Sequence, residues 1–171
     1  MRPSSPLQSL AIIVFAALGC RAAPSGDLPR PGSDGRWDAE QLARFDAERT
    51  LAARGDAVMI TGLWASWCGP CVREMPELAA FQEAHPEVAV LGLATASSTR
   101  QIQDILDRVR PTYAQALLEG GEGPFLERLG LVWDGILPKT LLIDRQGNAH
   151  KLDNPVTRDS LEAAVAPYLE R

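Results

Sequence analysis

The sequence has few of the residues from which metal sites and disulfide scaffolds are built. Its 171 residues include three cysteines and two histidines. Three cysteines cannot form a multi-disulfide scaffold, and a chain of this length buries a core without one. A second Cys-x-x-Cys pair and a Cys-x-x-Cys-His run are both missing, which excludes most four-ligand zinc patterns and haem attachment. We therefore expect no metal and no cofactor, and we expect cysteine to carry chemistry rather than to hold the fold.

Positive charge is also scarce. The chain has 17 Lys and Arg against 22 Asp and Glu, which gives a formal net charge of −5. Because nucleic acids and anionic lipid surfaces are negative themselves, a protein of this balance repels them. We therefore expect no nucleic-acid partner.

A long apolar run is missing as well. The N-terminal run Leu10–Leu18 (LAIIVFAAL) follows a segment in which Arg2 is the only charged side chain. It is about half of the ~18 residues that a membrane-spanning helix needs. This pattern predicts a secretory signal peptide at residues 1–19 rather than a permanent span.

The segment after the predicted signal has the composition of a linker. Residues 21–36 (RAAPSGDLPRPGSDGR) are rich in Pro, Gly and Ser and contain almost no apolar side chains. Such a segment cannot bury enough surface to order itself. We therefore predict a disordered tether at residues 20–36 and a folded domain at residues 37–171.

Apolar patterns in residues 37–171 predict strands that alternate with helices. Short apolar runs with β-branched members indicate buried strands, and apolar residues at helical spacing indicate amphipathic helices. The predicted strands are 57–64, 88–94, 113–118, 140–144 and 149–152; the predicted helices are 38–54, 71–84, 101–109, 125–131 and 159–169. This order predicts an α/β sandwich with a mixed central sheet, helices on both faces and a C-terminal hairpin plus helix.

A pair of cysteines carries the most specific signal. In WASWCGPC, Cys68 and Cys71 stand between a predicted buried strand and the first turn of a helix. Residues three apart share a helix face, so the two sulfurs can close a small disulfide. Unpaired N–H groups and the helix dipole favour a thiolate at Cys68, in settings that lower a cysteine pKa from about 8.5 to roughly 3.5–7.5. We predict Cys68 as the nucleophile, and Cys71, one turn in and more buried, as the residue that resolves the mixed disulfide.

Two other interpretations of this pair are half of a zinc site and a purely structural disulfide. The first needs two more ligands, and only His85 and His150 remain, far apart in sequence. The second ordinarily closes a long loop to constrain the unfolded chain, whereas this ring is minimal. The strand–turn–helix context favours the redox motif.

The motif WASWCGPC, followed by Glu74, Pro76 and much later by the run LPKT at 137–140, resembles the thioredoxin superfamily. Within it, the chain is similar to the TlpA-like bacterial envelope thiol-disulfide oxidoreductases, over about residues 37–171. This resemblance implies a thioredoxin-like fold and protein substrates with cysteine pairs. It also implies that the dithiol itself carries the electrons and that a membrane thiol reductase supplies them.

The resemblance also implies roles for individual residues. Gly69 and Pro70 match the reducing members, whose potential lies near −270 mV, so we expect a reductase of protein disulfides. Pro138 matches the cis-proline beside the disulfide that presents the backbone of Leu137 to a substrate strand. Trp67 is expected to flank and shield the disulfide. The resemblance thus places Trp67, Gly69, Pro70, Leu137 and Pro138 at the substrate-binding surface.

Glu74 has two interpretations. It matches an acidic residue near the disulfide in the envelope relatives, where such a group accepts or relays a proton. A glutamate in the first turn of a helix can also be a solvated side chain that the helix dipole favours. We predict Glu74 as a catalytic residue together with Cys68 and Cys71.

Two positions depart from the pattern of the superfamily. Gly62 stands six residues before the nucleophile, where thioredoxins carry a buried Asp and TlpA-like proteins often an Asn. Proton transfer from Cys71 must then fall to Glu74, to water, or to no dedicated group. Asn154-Pro155 replaces a glycine that borders the substrate groove in thioredoxins, so substrate preference is expected to differ.

The end of the predicted signal peptide resembles the lipobox of bacterial lipoproteins. Ala17-Leu18-Gly19 directly precedes Cys20. The resemblance implies acylation of Cys20, and hence a lipid anchor on the periplasmic side of the cell envelope. Ala17 stands where the family most often has Leu, so cleavage by the ordinary signal peptidase remains the alternative.

Two rival functions share the expected fold. A peroxidase of the peroxiredoxin kind would usually place its cysteine in a Pro-x-x-x-Thr-x-x-Cys setting, which this sequence lacks. A non-catalytic binding lipoprotein has no need of both cysteines. We therefore expect a periplasmic thiol-disulfide oxidoreductase.

Overall fold

A computed structural model describes residues 27–169. The predicted signal peptide, Cys20 and the first part of the predicted tether lie outside the described residues. The strands are β1 (Arg44–Phe45), β2 (Met59–Trp64), β3 (Ala89–Ala94), β4 (Ala114–Leu118), β5 (Lys139–Ile143) and β6 (Ala149–Lys151). The helices are α1 (Ala47–Arg54), α2 (Gly69–Ala84), α3 (Thr99–Val109), α4 (Glu122–Arg128) and α5 (Arg158–Leu169). None of these helices is both long enough and apolar enough to cross a membrane.

The strands form one mixed sheet in the order β1-β4-β3-β2-β5-β6. The pairs β1–β4, β4–β3 and β3–β2 are parallel, whereas β5 is antiparallel to both β2 and β6. Strands β2 and β3 are buried along their whole length, as expected for central strands covered by helices on both faces. The prediction of a thioredoxin-like α/β sandwich with a terminal hairpin and helix is therefore confirmed.

Alternation along the strands divides the core between the two faces of the sheet. On one face, Met59 and Leu63 of β2 pack with α1 and α4 through residues such as Ala53 and Phe125. On the other face, Ile60 packs with α2 and α5. Helix α3 covers the same face farther along, in a cluster that also contains both cysteines of the motif.

The prediction of a helix that begins at Asp38 is wrong. The Asp38 side chain accepts hydrogen bonds from the backbone of Glu40 and the side chain of Gln41, which closes a local turn instead. The chain then runs extended as β1, and Phe45 is fully buried beside β4. The helix begins after Asp46, whose carboxylate caps it by accepting from the N–H of Arg49 at 2.7 Å. A turn followed by a two-residue edge strand has the same apolar spacing as a helix over this stretch.

The described part of the N-terminal segment, residues 27–36, contacts the domain. Leu28 packs against the core, and Arg36 forms an ion pair of 3.0 Å with Asp107 of α3. Trp37, at which we placed the start of the folded domain, is buried, and its Nε1 donates a 2.8 Å hydrogen bond to the carbonyl of Pro111. The limits of tether and domain remain a prediction.

Gly92 of β3 makes room for a buried amide. The side chain of Gln115 crosses over it, and its Oε1 accepts a 3.1 Å hydrogen bond from Nε1 of Trp64. A Cβ at position 92 would come within 2.8 Å of Cδ of Gln115. Gly92→Ala is therefore expected to displace Gln115 and to cost about 1–3 kcal/mol of unfolding free energy in urea titrations. The control is Gly123→Ala, whose Cβ would meet nothing within 4 Å, and equal effects of the two variants would contradict the account.

Candidate active site

The two cysteines of the motif lie at the start of helix α2, as predicted. Cys68 is the N-cap residue, and Pro70 occupies the first turn, where a missing N–H has no intrahelical partner to lose. The Sγ of Cys68 accepts a hydrogen bond of 3.2 Å from the N–H of Cys71. The two sulfurs are joined in a disulfide, with 5.3 Å between the Cα atoms. The pair is thus within covalent reach, at the end of a helix whose free N–H groups favour negative charge.

Burial does not distinguish the two cysteines. Cys68 is 4% exposed and Cys71 is 3% exposed, so the expected greater burial of Cys71 amounts to a single percentage point. Both lie in one apolar cluster that includes Trp64 and Met75. Their positions relative to the helix differ instead, because Cys68 caps the helix while Cys71 lies within its first turn.

The loop before Cys68 is tied to the loop that follows β3. The N–H of Ser66 donates to Oγ of Ser97 at 2.9 Å, and Nε1 of Trp67 donates to the carbonyl of Ala96 at 3.0 Å. Ala96 adopts a left-handed backbone with φ of 44°, unusual for a residue with a side chain. These contacts were not predicted, since no local sequence pattern relates residues about thirty positions apart.

The two tryptophans around the motif have different environments. Trp67 is 64% exposed, although its indole N–H is hydrogen-bonded, and it therefore offers an apolar face to solvent beside the disulfide. Trp64 is buried in the cluster beneath the cysteines, as expected. A large exposed aromatic side chain next to a reactive pair is suited to contact with a partner.

Glu74 is buried, so it is not the solvated side chain of the second interpretation. It is 4% exposed and lies on α2, one turn beyond Cys71. Its Oε1 accepts a hydrogen bond of 2.8 Å from the N–H of Val156, in the loop before α5. Burial raises the pKa of the Glu74 carboxyl to about 7, although the hydrogen bond from Val156 opposes this by favouring the charged form. A carboxyl with this pKa can both donate and accept a proton near neutral pH.

A hollow of about 580 Å³ lies beside the motif. It is lined by Pro70 between the two cysteines, by Ile136 and Pro138 before β5, and by Asn154 and Pro155 before α5. The Leu137–Pro138 peptide bond is cis, as the resemblance implies. The Asn154–Pro155 bond is also cis, which we did not predict. Pro138, which matches the superfamily pattern, and Pro155, which departs from it, therefore line one hollow together with Pro70 of the motif.

The glycine at position 62 leaves little room for a side chain. A Cβ built there would lie 3.4 Å from Cδ1 of Leu78 and 4.0 Å from Oγ1 of Thr140. A longer side chain would have to displace Leu78. Among the described residues near the motif, Glu74 is the one acidic side chain that we find buried on α2.

The two histidines lie beside carboxylates, away from the cysteines. His85 contacts Glu87 at 3.4 Å and Glu162 at 3.6 Å, and His150 contacts Asp144 at 3.4 Å. Within residues 27–169, no three His, Cys, Asp or Glu side chains are grouped so that they could hold a metal ion.

Comparisons with known proteins agree with this geometry. A model of the Redoxin family matches residues 40–166. The thiol:disulfide interchange protein HelX of Rhodobacter capsulatus is 25% identical over 97% of this chain and 97% of its own length. Sporulation thiol-disulfide oxidoreductase A of Bacillus subtilis is 26% identical over 60% of this chain and 63% of its own length.

A solved structure shows the same architecture. The thioredoxin-related protein from Neisseria meningitidis serogroup B superposes with a TM-score of 0.58 at 28% identity, over 67% of this chain and 86% of that one. The family match covers the cysteine motif, both cis-proline loops and the whole described sheet. The chain therefore belongs to the redoxin family, within the thioredoxin superfamily, and it is a bacterial thiol-disulfide oxidoreductase.

Proposed function

We propose that this oxidoreductase is a periplasmic reductase of protein disulfides. The observation that carries the proposal is Cys68 at the N-cap of α2, with its sulfur hydrogen-bonded by the N–H of Cys71. The hollow between Pro70, Pro138 and Pro155 supports a polypeptide substrate, since it runs alongside the motif and is open to solvent. The exposed Trp67 adds an apolar contact next to the reacting sulfur.

The reaction moves two electrons from the reduced pair to the substrate. The Cys68 thiolate attacks one sulfur of a substrate disulfide, which forms a mixed disulfide and releases the other substrate sulfur as a thiolate that takes a proton. Cys71 then loses its proton and attacks Sγ of Cys68. This step breaks the mixed disulfide, releases the second substrate thiolate and leaves the Cys68–Cys71 disulfide that the structure contains.

Glu74 is the proposed proton acceptor for Cys71. It lies one turn farther along the same helix, and its pKa of about 7 allows it to take a proton and to return it at neutral pH. Because position 62 is a glycine, no carboxylate from β2 competes for this role. Trp67, Gly69, Pro70, Leu137 and Pro138 form the proposed surface that receives the substrate strand.

The direction of electron flow is proposed from the residues between the cysteines. Gly69-Pro70 matches the reducing members of the superfamily, so we expect a midpoint potential near −270 mV, measured by equilibration with glutathione or dithiothreitol mixtures. We also expect the purified protein to accelerate the reduction of insulin by dithiothreitol. A potential above roughly −150 mV would contradict the reductase assignment, because oxidants of the superfamily lie near −120 mV.

The location is proposed from the N-terminal sequence. The signal-like run ends at Cys20, and a lipid anchor there would place the domain on the periplasmic side of a bacterial membrane, next to a membrane thiol reductase that recharges the dithiol. Mass spectrometry of the protein from the membrane fraction tests this. An acylated Cys20 as the N-terminal residue is expected, and an unmodified N-terminus produced by cleavage elsewhere would contradict the anchor.

A further inference from the structure

One buried cation stands directly after the cis-proline of the hollow. Lys139 follows Pro138 as the first residue of β5, and its side chain is only 4% exposed. Its Nζ donates to both carboxylate oxygens of Asp134, at 2.7 and 2.8 Å. The same Nζ lies 5.6 Å from the centre of the Trp133 ring. A lysine is rarely buried to this degree unless its charge is paired, and here the partner is five residues away in the preceding loop.

Asp134 connects this loop to two neighbouring strands. Besides Lys139 of β5, it accepts a 3.2 Å hydrogen bond from Nζ of Lys151, on the neighbouring strand β6. It also accepts a 3.2 Å hydrogen bond from the N–H of Ile136, within its own loop. Lys139 and the other donors hold the pKa of Asp134 well below its usual range, so the carboxylate stays charged. We refer to the pair Asp134–Lys139 as the loop clamp.

The loop clamp lies at the wall of the hollow rather than at the cysteines. Asp134, Ile136, Pro138 and Lys139 all line the hollow that Pro70 borders. The loop, residues 132–138, also exposes two large apolar side chains, Val132 at 88% and Ile136 at 63%. Trp133 and Leu137 of the same loop pack against the core, so the loop is held at these two positions while Val132 and Ile136 are left in solvent. The loop clamp adds a polar restraint next to Ile136 through charge-assisted hydrogen bonds.

We infer that Asp134 and Lys139 are positioning residues for binding of the protein substrate. The loop clamp fixes the 132–138 loop so that Ile136 and the backbone of Leu137 meet an incoming polypeptide in one conformation, which lowers the entropy lost on binding. We place its effect on substrate binding rather than on the sulfur chemistry, because the hydrogen bonds of Lys139 go to Asp134, in the wall of the hollow. This inference rests on the proposed function in so far as the substrate is a protein.

The variant Lys139→Met separates these roles. This substitution removes the cation but keeps most of the length of the side chain. Asp134, which is 38% exposed, keeps Lys151 as its partner. No buried charge is therefore left unpaired, and the fold is expected to survive. The matched control is Glu48→Gln, which breaks the exposed 2.9 Å ion pair between Arg128 and Glu48, two residues that lie outside the hollow.

The first measurement is steady-state reduction of insulin by the full chain. For Lys139→Met we expect KM to rise about tenfold while kcat stays within about twofold, the signature of lost binding that is equal in ground and transition states. The rate at which iodoacetamide alkylates reduced Cys68 should stay within about twofold of the parent, and Glu48→Gln should match the parent throughout. An unchanged KM, or a joint fall of kcat and alkylation rate, would contradict the inference that the loop clamp positions the loop for substrate binding.

The second measurement does not depend on activity. Amide hydrogen exchange in residues 132–138 should be at least about tenfold faster in Lys139→Met, with β2 and β3 unchanged. Unchanged hydrogen exchange in this loop would contradict the inference that the loop clamp orders it. If the parent protein itself fails to reduce insulin, the proposed function is wrong, and hydrogen exchange still decides whether the loop clamp orders the loop.

Discussion

Replacing Cys68 with serine is expected to lower thiol-disulfide exchange by about a thousandfold or more. A serine hydroxyl does not ionise near neutral pH and cannot form the mixed disulfide, so the first bond of the reaction is never made. The protein should keep its fold, because serine is close to cysteine in volume and the chain has a large core that does not depend on the disulfide. The measurement is the initial rate of insulin reduction, with circular dichroism as the check on folding.

Cys71→Ser should behave differently from Cys68→Ser. Cys68 can still attack a substrate, but no sulfur resolves the product, so mixed disulfides accumulate and appear as higher bands on non-reducing gels. Cys20→Ser serves as the control that changes the third cysteine without touching the motif. Adducts that form with Cys68→Ser but not with Cys71→Ser would reverse the assignment of nucleophile and resolving residue.

Substituting Glu74 is expected to change both stability and its dependence on pH. The pKa of this carboxyl is raised from 4.5 to about 7 by burial, so the folded state binds its proton more tightly than the unfolded chain does. The stabilisation of the folded state by protonation of this carboxyl is therefore fully present below pH 4.5, and it is lost as the pH rises through 7. The parent should thus lose roughly 2–3 kcal/mol between pH 5 and pH 8 relative to Glu74→Gln, whose side chain does not titrate.

A second substitution separates the proton from the hydrogen bond. Glu74→Gln keeps an oxygen that accepts from the N–H of Val156, whereas Glu74→Leu leaves that buried N–H without its partner, at a cost of about 1–3 kcal/mol at every pH. Urea unfolding at pH 5 and pH 8 distinguishes the three proteins. If the resolving step slows with Glu74→Leu but not with Glu74→Gln, Glu74 only supports the loop and transfers no proton. Equal pH dependence in the parent and Glu74→Gln would contradict the raised pKa.

Much of the fold was predictable because the relevant signals are local. The central strands are continuous apolar runs, and helix α3 has clear amphipathic spacing, so their positions agree with prediction within a few residues. The helix expected from Asp38 is wrong because Leu42 and Phe45 have helical spacing in the sequence, whereas the turn and the short edge strand bury them in two different clusters. Only the contact with β4, far along the chain, distinguishes the two.

The site was predictable where its residues are close in sequence. The spacing of Cys68 and Cys71 after a buried strand determined the disulfide and the helix N-terminus beneath it. The hydrogen bond from Val156 to Glu74 and the anchoring of Trp67 on Ala96 join segments 82 and 29 residues apart. Such contacts depend on how the loops pack, and neither composition nor periodicity encodes them.

The central claim is that Cys68 is a nucleophile activated by its place at the start of α2. The most direct test is the pH dependence of alkylation of the fully reduced protein by iodoacetamide, with peptide mapping to show which sulfur reacts. We expect Cys68 to be modified first, with a pKa between roughly 3.5 and 7.5. Preferential modification of Cys71, or a Cys68 pKa near the ordinary value of about 8.5, would contradict it.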